Sequence, residues 1–126
     1  MAIVFDSSAL LAIAFNETGA NRAVEALPDG ILSAVNASEV VACLIDRGVP
    51  EASARNRLRD FDIPIRPFDE TLALAAGALR TTTRQQGLSL GDRACLALAR
   101  RERAPVITAD RNWTRLVLDL EVKLIR

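Results

Sequence analysis

Histidine and tyrosine are missing from this 126-residue chain altogether. Their absence removes Ser-His-Asp and Cys-His chemistry, tyrosine nucleophiles, and zinc sites built on imidazole. Cysteine is scarce: only Cys43 and Cys95 occur, each alone in an apolar helical stretch. Two isolated thiols suit a reducing cytoplasm rather than a disulfide framework. Both are expected in the core, since free cysteine packs like a small hydrophobe. Long apolar runs are also lacking. The longest stretch of apolar residues and glycine is Leu72 to Leu79, far short of the roughly 20 residues that span a bilayer. The first residues, MAIVFDSSALLAIAF, carry Asp6 and no basic n-region, so they do not read as a signal peptide. A cytoplasmic protein with no membrane partner is expected.

Half of the residues are hydrophobic and a quarter charged, enough apolar surface for a real core without staples. The length predicts one domain, residues 1–126, and no repeat, low-complexity stretch or linker divides it. Net charge is zero but unevenly spread. Residues 1–63 hold nine acids against five arginines; residues 64–126 hold ten arginines and one lysine against seven acids. Fifteen of the sixteen basic residues are therefore arginine, whose planar fork suits phosphate. A GC-rich genome would give the same bias, so the composition allows a polyanionic partner without demanding one.

Strands and helices alternate along the chain. Ala2-Ile3-Val4-Phe5 reads as a strand buried on both faces, followed by further strands at Ile31-Leu32-Ser33, Ile63-Pro64-Ile65, Pro105-Val106-Ile107-Thr108 and Val122-Lys123-Leu124-Ile125. The proline at 64 favours an edge position. Helices are predicted from Ser7 onward and over residues 21–27, 36–46, 51–60, 69–86 and 91–101, with the stripe of Leu72-Ala73-Leu74-Ala75-Ala76 and Leu79 packing in the core. This pattern implies βαβ units, hence an α/β fold: a three-layer α/β/α sandwich around a mostly parallel sheet. In such sheets ligands bind beyond the carboxyl ends of the strands.

Four acids fall at those ends or in the first turns of helices: Asp6, Glu39, Asp92 and Asp110. Each alone has a plain explanation. Asp6 and Asp110 suit N-caps or Asx turns, and Asn36-Ala37-Ser38-Glu39 and Ser89-Leu90-Gly91-Asp92 have capping-box spacing. Together they are harder to explain so, because four carboxylates at one sheet edge would repel one another. A divalent cation relieves that repulsion, and oxygen-only ligands select Mg²⁺ or Mn²⁺ over zinc. Such an ion activates water and stabilises the attacking and leaving oxygens of a phosphoryl displacement, with no histidine required.

The sequence also resembles the PIN-domain ribonucleases, and among them the VapC-type toxins of toxin–antitoxin operons. The resemblance covers essentially the whole chain. It rests on Ile3-Val4-Phe5-Asp6-Ser7-Ser8-Ala9, on Asn36-Ala37-Ser38-Glu39-Val40, on Leu88-Ser89-Leu90-Gly91-Asp92-Arg93-Ala94-Cys95-Leu96-Ala97, and on Thr108-Ala109-Asp110-Arg111-Asn112-Trp113. It implies that Asp6, Glu39, Asp92 and Asp110 form a metal-binding, catalytic acidic quartet. It further implies Mg²⁺- or Mn²⁺-dependent cleavage of RNA, a VapB-type antitoxin whose C-terminal segment blocks the site, and a toxin homodimer.

Within that reading Asp6, Asp92 and Asp110 ligate the metal, and Glu39 completes the site and orients the attacking water. Ser8 and Thr108 are candidates to hold a water or phosphate oxygen, or else to make local backbone hydrogen bonds. Arg84, Arg93 and Arg111, with Arg80 one turn before Arg84, are candidates for phosphate positioning, or else solvated helix arginines. Trp113 suits the core or an RNA base. Two rivals belong to other classes. A phosphoacceptor domain wants a lysine beside a strand end, whereas the sole lysine, Lys123, lies inside the last strand. A silent interaction module, with the acids as caps, predicts no metal affinity.

Overall fold

The computed structural model describes residues 1–126. Five strands, β1 (Ile3–Phe5), β2 (Gly30–Ser33), β3 (Ile65–Arg66), β4 (Val106–Thr108) and β5 (Val122–Leu124), form one sheet in the order β3-β2-β1-β4-β5. Every pairing is parallel. Neighbouring residues of the three inner strands serve opposite cores. Val4, Ile31 and Val106 pack with Leu72, Leu96 and Trp113, while Phe5, Leu32 and Ile107 pack with Leu10, Val40 and Leu44. A strand that feeds two cores has no polar face, and for that reason these strands read as unbroken apolar runs.

Helices α1 (Ser7–Ala14), α2 (Ala20–Ala26), α3 (Ala34–Asp46) and α4 (Glu51–Asp60) cover the Phe5 face. Helices α5 (Glu70–Ala78) and α7 (Leu90–Glu102) cover the Val4 face, with the short α6 (Arg80–Thr83) between them. The result is the expected three-layer α/β/α sandwich. No helix is long and apolar enough to cross a membrane.

Several elements depart from the sequence reading. The helix expected over 69–86 breaks at Leu79. Its carbonyl is shared by the Thr82 and Thr83 N–H groups, at 3.1 and 3.0 Å, and by the Thr83 and Thr82 hydroxyls, at 2.8 and 3.4 Å, a crowding that bends helices. A 3₁₀ turn (Arg84–Gln86) follows, ended by Gly87 at φ +62°. The stripe along α5 is narrower than predicted: Leu72, Ala76 and Leu79 are buried at helical spacing, but Ala73 and Ala75 are exposed and Leu74 is 69% exposed. The third strand lies two residues later than expected, at Ile65–Arg66, and does occupy an edge; Pro64, lacking an N–H, still offers its carbonyl to Leu32.

Helix α3 starts earlier than predicted. Ser33 is its N-cap, accepting from the Val35 N–H at 3.2 Å, so Asn36 lies inside the helix and caps nothing. Cys95 is fully buried, as expected, whereas Cys43 is only half-buried. Cys43 stands one helical turn beyond Glu39 on the same face of α3, and that face fronts a cavity rather than the core.

Candidate active site

The chain leaves β1 for β2 on one side, while β4 flanks β1 on the other, so strand order reverses between β1 and β4. The crevice beyond the carboxyl ends at such a reversal is where open α/β sheets bind ligands. Here it is a cavity of about 470 Å³ lined by Asp6, Glu39, Asp92 and Asp110, with Ser7, Ser8, Leu11, Ala42 and Cys43. The fold thus brings together all four acids singled out in the sequence.

Asp6 follows β1 directly, and its N–H donates to the Ile107 carbonyl of β4 at 2.9 Å. It holds the N-cap position of α1, but its carboxylate caps nothing. Instead Oδ2 accepts two hydroxyls, from Ser8 at 2.6 Å and from Thr108 at 2.8 Å. Each hydroxyl also accepts a backbone N–H, and the two hydroxyls lie 3.2 Å apart. The Ala109 N–H donates to Ser8 Oγ at 2.9 Å, and the Asp110 N–H to Thr108 Oγ1 at 3.0 Å. Burial is the main reason that the Asp6 carboxyl is pushed up to about 6. The two hydroxyls oppose the shift, and the charges of Asp92 and Glu39 add to it.

Asp92 sits in the first turn of α7 within a true capping box: its Oδ2 accepts the Ser89 N–H at 3.0 Å, and Ser89 Oγ accepts the Asp92 N–H at 3.1 Å. Partial burial raises its pKa; the bonds to Ser89 lower it, and the Glu39 and Asp110 charges raise it again. Asp110 makes the expected Asx turn, with Oδ1 accepting the Asn112 N–H at 2.9 Å. Glu39 does not reach back to cap α3. Its Oε1 accepts the Ser7 hydroxyl at 2.7 Å and the Asn36 amide at 2.9 Å.

One rule holds for all four acids. A single oxygen of each is engaged by the protein, and the other (Oδ1 of Asp6, Oε2 of Glu39, Oδ1 of Asp92, Oδ2 of Asp110) has no protein donor. This is the donor set of a hard divalent cation: oxygen only, ionisable, each ligand oriented through its second oxygen. As the side chains stand, no three of them form a closed ligand set. Asp92 is folded back on Ser89, and Glu39 is drawn towards Ser7 and Asn36.

The other predicted site residues are placed less uniformly. Ser8 and Thr108 spend their hydroxyls on Asp6, and Thr108 is fully buried. The Arg93 guanidinium donates to the Ala76 carbonyl at 3.2 Å, and Arg111 donates to the Arg126 carbonyl at 3.2 Å. Arg84 lies exposed on its 3₁₀ turn without an ion pair or hydrogen bond from its side chain. Trp113 is buried in the core. Three residues at the site were not singled out as functional in the sequence: Ser7, Gly91 and Asn36, the last read only as a cap. The Gly91 Cα lies so close to Glu39 that an added Cβ would overlap its carboxylate. The available signal was the i, i+3 spacing of Asn36 and Glu39, which puts both on one face of α3.

The chain is thus a parallel α/β/α sandwich with a cluster of four carboxylates at the reversal point of its sheet. The PIN domain family model matches residues 3–117, and the chain belongs to the PIN-domain family. PIN domains are nucleases that generally use divalent metal ions. The fold is shared with solved structures of low sequence identity. A toxin-antitoxin complex from Klebsiella pneumoniae superposes with TM-score 0.76 at 23% identity, over 99% of this chain and 98% of that one. DNA-bound VapBC from Salmonella typhimurium gives 0.77 at 12% identity, over 100% and 99%. VapBC-1 from nontypeable Haemophilus influenzae gives 0.75 at 16% identity, over 99% and 98%. No curated protein matches the sequence.

Proposed function

We propose that this chain is a VapC-type toxin: a Mg²⁺- or Mn²⁺-dependent endoribonuclease that hydrolyses phosphodiester bonds and is silenced by a VapB-type antitoxin. The observation that carries the reading is the set of four carboxylates in one cavity, each with one oxygen tied to the protein and one without a donor. Asp6, Asp92 and Asp110 would hold the cation, with Glu39 completing the site. When bound, such an ion lowers the pKa of water and offsets charge building on the phosphoryl oxygens.

The chain's own groups supply the rest. Ser8 and Thr108 fix the rotamer of Asp6 and stabilise its ionised form. Ser89 and Asn112 fix Asp92 and Asp110 through the backbone of their own turns. Glu39 faces the attacking water and takes its proton as the new O–P bond forms, while the leaving ribose oxygen departs from phosphorus and is protonated from solvent. Of the candidate arginines, Arg80 and Arg84 are exposed with no side-chain partner in the protein and are free to neutralise an RNA phosphate. Arg93 and Arg111 would first have to release the carbonyls they hold.

Partner and assembly follow from the same likeness. The three solved neighbours named above are toxin–antitoxin complexes, which supports an antitoxin partner; an antitoxin segment across the acidic cavity, a toxin homodimer, a single PIN unit over residues 1–126 and a place in the cytoplasm complete the proposal. The test is incubation of total RNA with the purified protein in Mg²⁺, Mn²⁺ or EDTA, beside Asp92→Asn. Discrete fragments that need the metal and vanish in the variant are expected. A folded wild-type protein that neither binds Mn²⁺ nor cuts RNA would refute the reading.

A further inference from the structure

We infer that Asn36 is a positioning residue, one that sets the carboxylate of Glu39 and thereby the readiness of the acidic site; this rests on the nuclease reading above. Asn36 is fully buried within α3, and its amide nitrogen touches three elements at once. Nδ2 lies 2.9 Å from Glu39 Oε1, 3.0 Å from Ser7 Oγ of α1, and 3.1 Å from the Gly91 carbonyl of α7. These are the helices that follow Asp6, carry Glu39 and carry Asp92.

The amide can point only one way. A carboxylate and a carbonyl are obligate acceptors, so a flipped amide would set oxygen against oxygen at both. The Ser7 proton goes to Glu39 Oε1 at 2.7 Å, which turns the Ser7 lone pair towards Asn36. The two amide protons serve three acceptors, so one is shared; with that contact and the Ser7 proton, Glu39 Oε1 is held from two sides and Oε2 is left to the cavity.

This arrangement is a poor choice for stability alone. Asn36 Oδ1 is buried with no hydrogen-bond partner. An orphaned buried acceptor is destabilising, and an aliphatic side chain of similar size would fill the same space without one. What the aliphatic chain could not do is hold the Glu39 carboxylate. Residues behind metal ligands commonly matter to affinity through such orientation.

The test compares wild type with Asn36→Leu, which fills the space, and Asn36→Ser, which restores a single donor. Melting in EDTA, calorimetric titration with Mn²⁺, and kcat and KM on an RNA that the wild type cleaves are measured for each. Asn36→Leu should melt at or above the wild-type temperature, bind Mn²⁺ about 10–100-fold more weakly, and lose kcat to a similar degree at unchanged KM. Asn36→Ser should recover part of both losses. Wild-type Mn²⁺ affinity in folded Asn36→Leu would overturn the inference. So would variants that melt early while the folded fraction binds Mn²⁺ normally, the signature of a merely structural asparagine. The Mn²⁺ comparison decides the matter even where no RNA is cut, so failure here is distinct from failure of the nuclease reading.

Discussion

Asp6→Asn replaces a carboxylate that the fold holds almost out of water, and its effect on stability can be worked from the site. The native carboxyl titrates at about 6 against an ordinary 3.8. A raised native pKa means that the protonated form is the one the fold favours. Its stabilising contribution is fully present below pH 3.8 and is lost as pH rises through about 6. At about 1.4 kcal/mol per unit, the ionised form costs the metal-free protein about 3 kcal/mol above pH 7. Asparagine carries no charge, and its amide oxygen can still accept from Ser8 and Thr108. In EDTA at pH 8 the variant should therefore melt higher than wild type, by roughly 9–18 °C for a domain of this size. At pH 4 the two should converge, because wild-type Asp6 is then neutral too. Saturating Mg²⁺ should raise the wild-type melting temperature and leave the variant's unchanged. Differential scanning fluorimetry across pH, with and without the ion, reads all three. A variant less stable than wild type at pH 8, or a gap of equal size at pH 4, would refute the reasoning.

Other predictions follow from the same geometry. Gly91→Ala should stabilise α7 by up to about 1 kcal/mol by helix propensity, yet push Glu39 out of place, so kcat should fall at least about tenfold while melting holds or rises. Unchanged kcat would show that Glu39 moves aside at no cost. Cys43 should react with a maleimide in the native protein and block cleavage once labelled, whereas Cys95, fully buried with its thiol pushed up by burial and by the nearby acids, should react only on unfolding; intact-mass analysis reads the order. Arg84→Ala should weaken RNA binding and flatten the dependence of log K on log salt by roughly 0.7, where an unaltered slope would remove Arg84 from the substrate path.

The fold and the four acids were legible because each has a local signature. Buried parallel strands read as apolar runs, and Asp6, Glu39, Asp92 and Asp110 follow strands or open helices at fixed offsets. The break at Leu79 was hidden because nothing in Thr81-Thr82-Thr83 excludes a helix, and the crowding of hydroxyls and N–H groups on the Leu79 carbonyl is seen only in the structure. The wiring behind the acids was illegible for another reason. Ser7 and Asn36 are 29 residues apart, and Asn36 and Gly91 are 55 apart, so nothing in the chain order pairs them. Asn36 looked like a cap because it precedes Glu39 by three. The true cap is Ser33, and the same spacing instead places the Asn36 amide against the Glu39 carboxylate. The role of Gly91 is the space it leaves, which becomes visible only with Glu39 packed beside it.

The most direct measurement is cleavage of a defined RNA in ¹⁸O-enriched water under single-turnover conditions with Mg²⁺, followed by mass analysis of the fragment ends. Hydrolysis by a water that the acidic site activates predicts one ¹⁸O in each new terminal phosphate, opposite a free hydroxyl, and no product in EDTA or with Asp92→Asn. Fragments ending in 2′,3′-cyclic phosphate without ¹⁸O would mean that the RNA's own hydroxyl is the nucleophile, and would contradict the account.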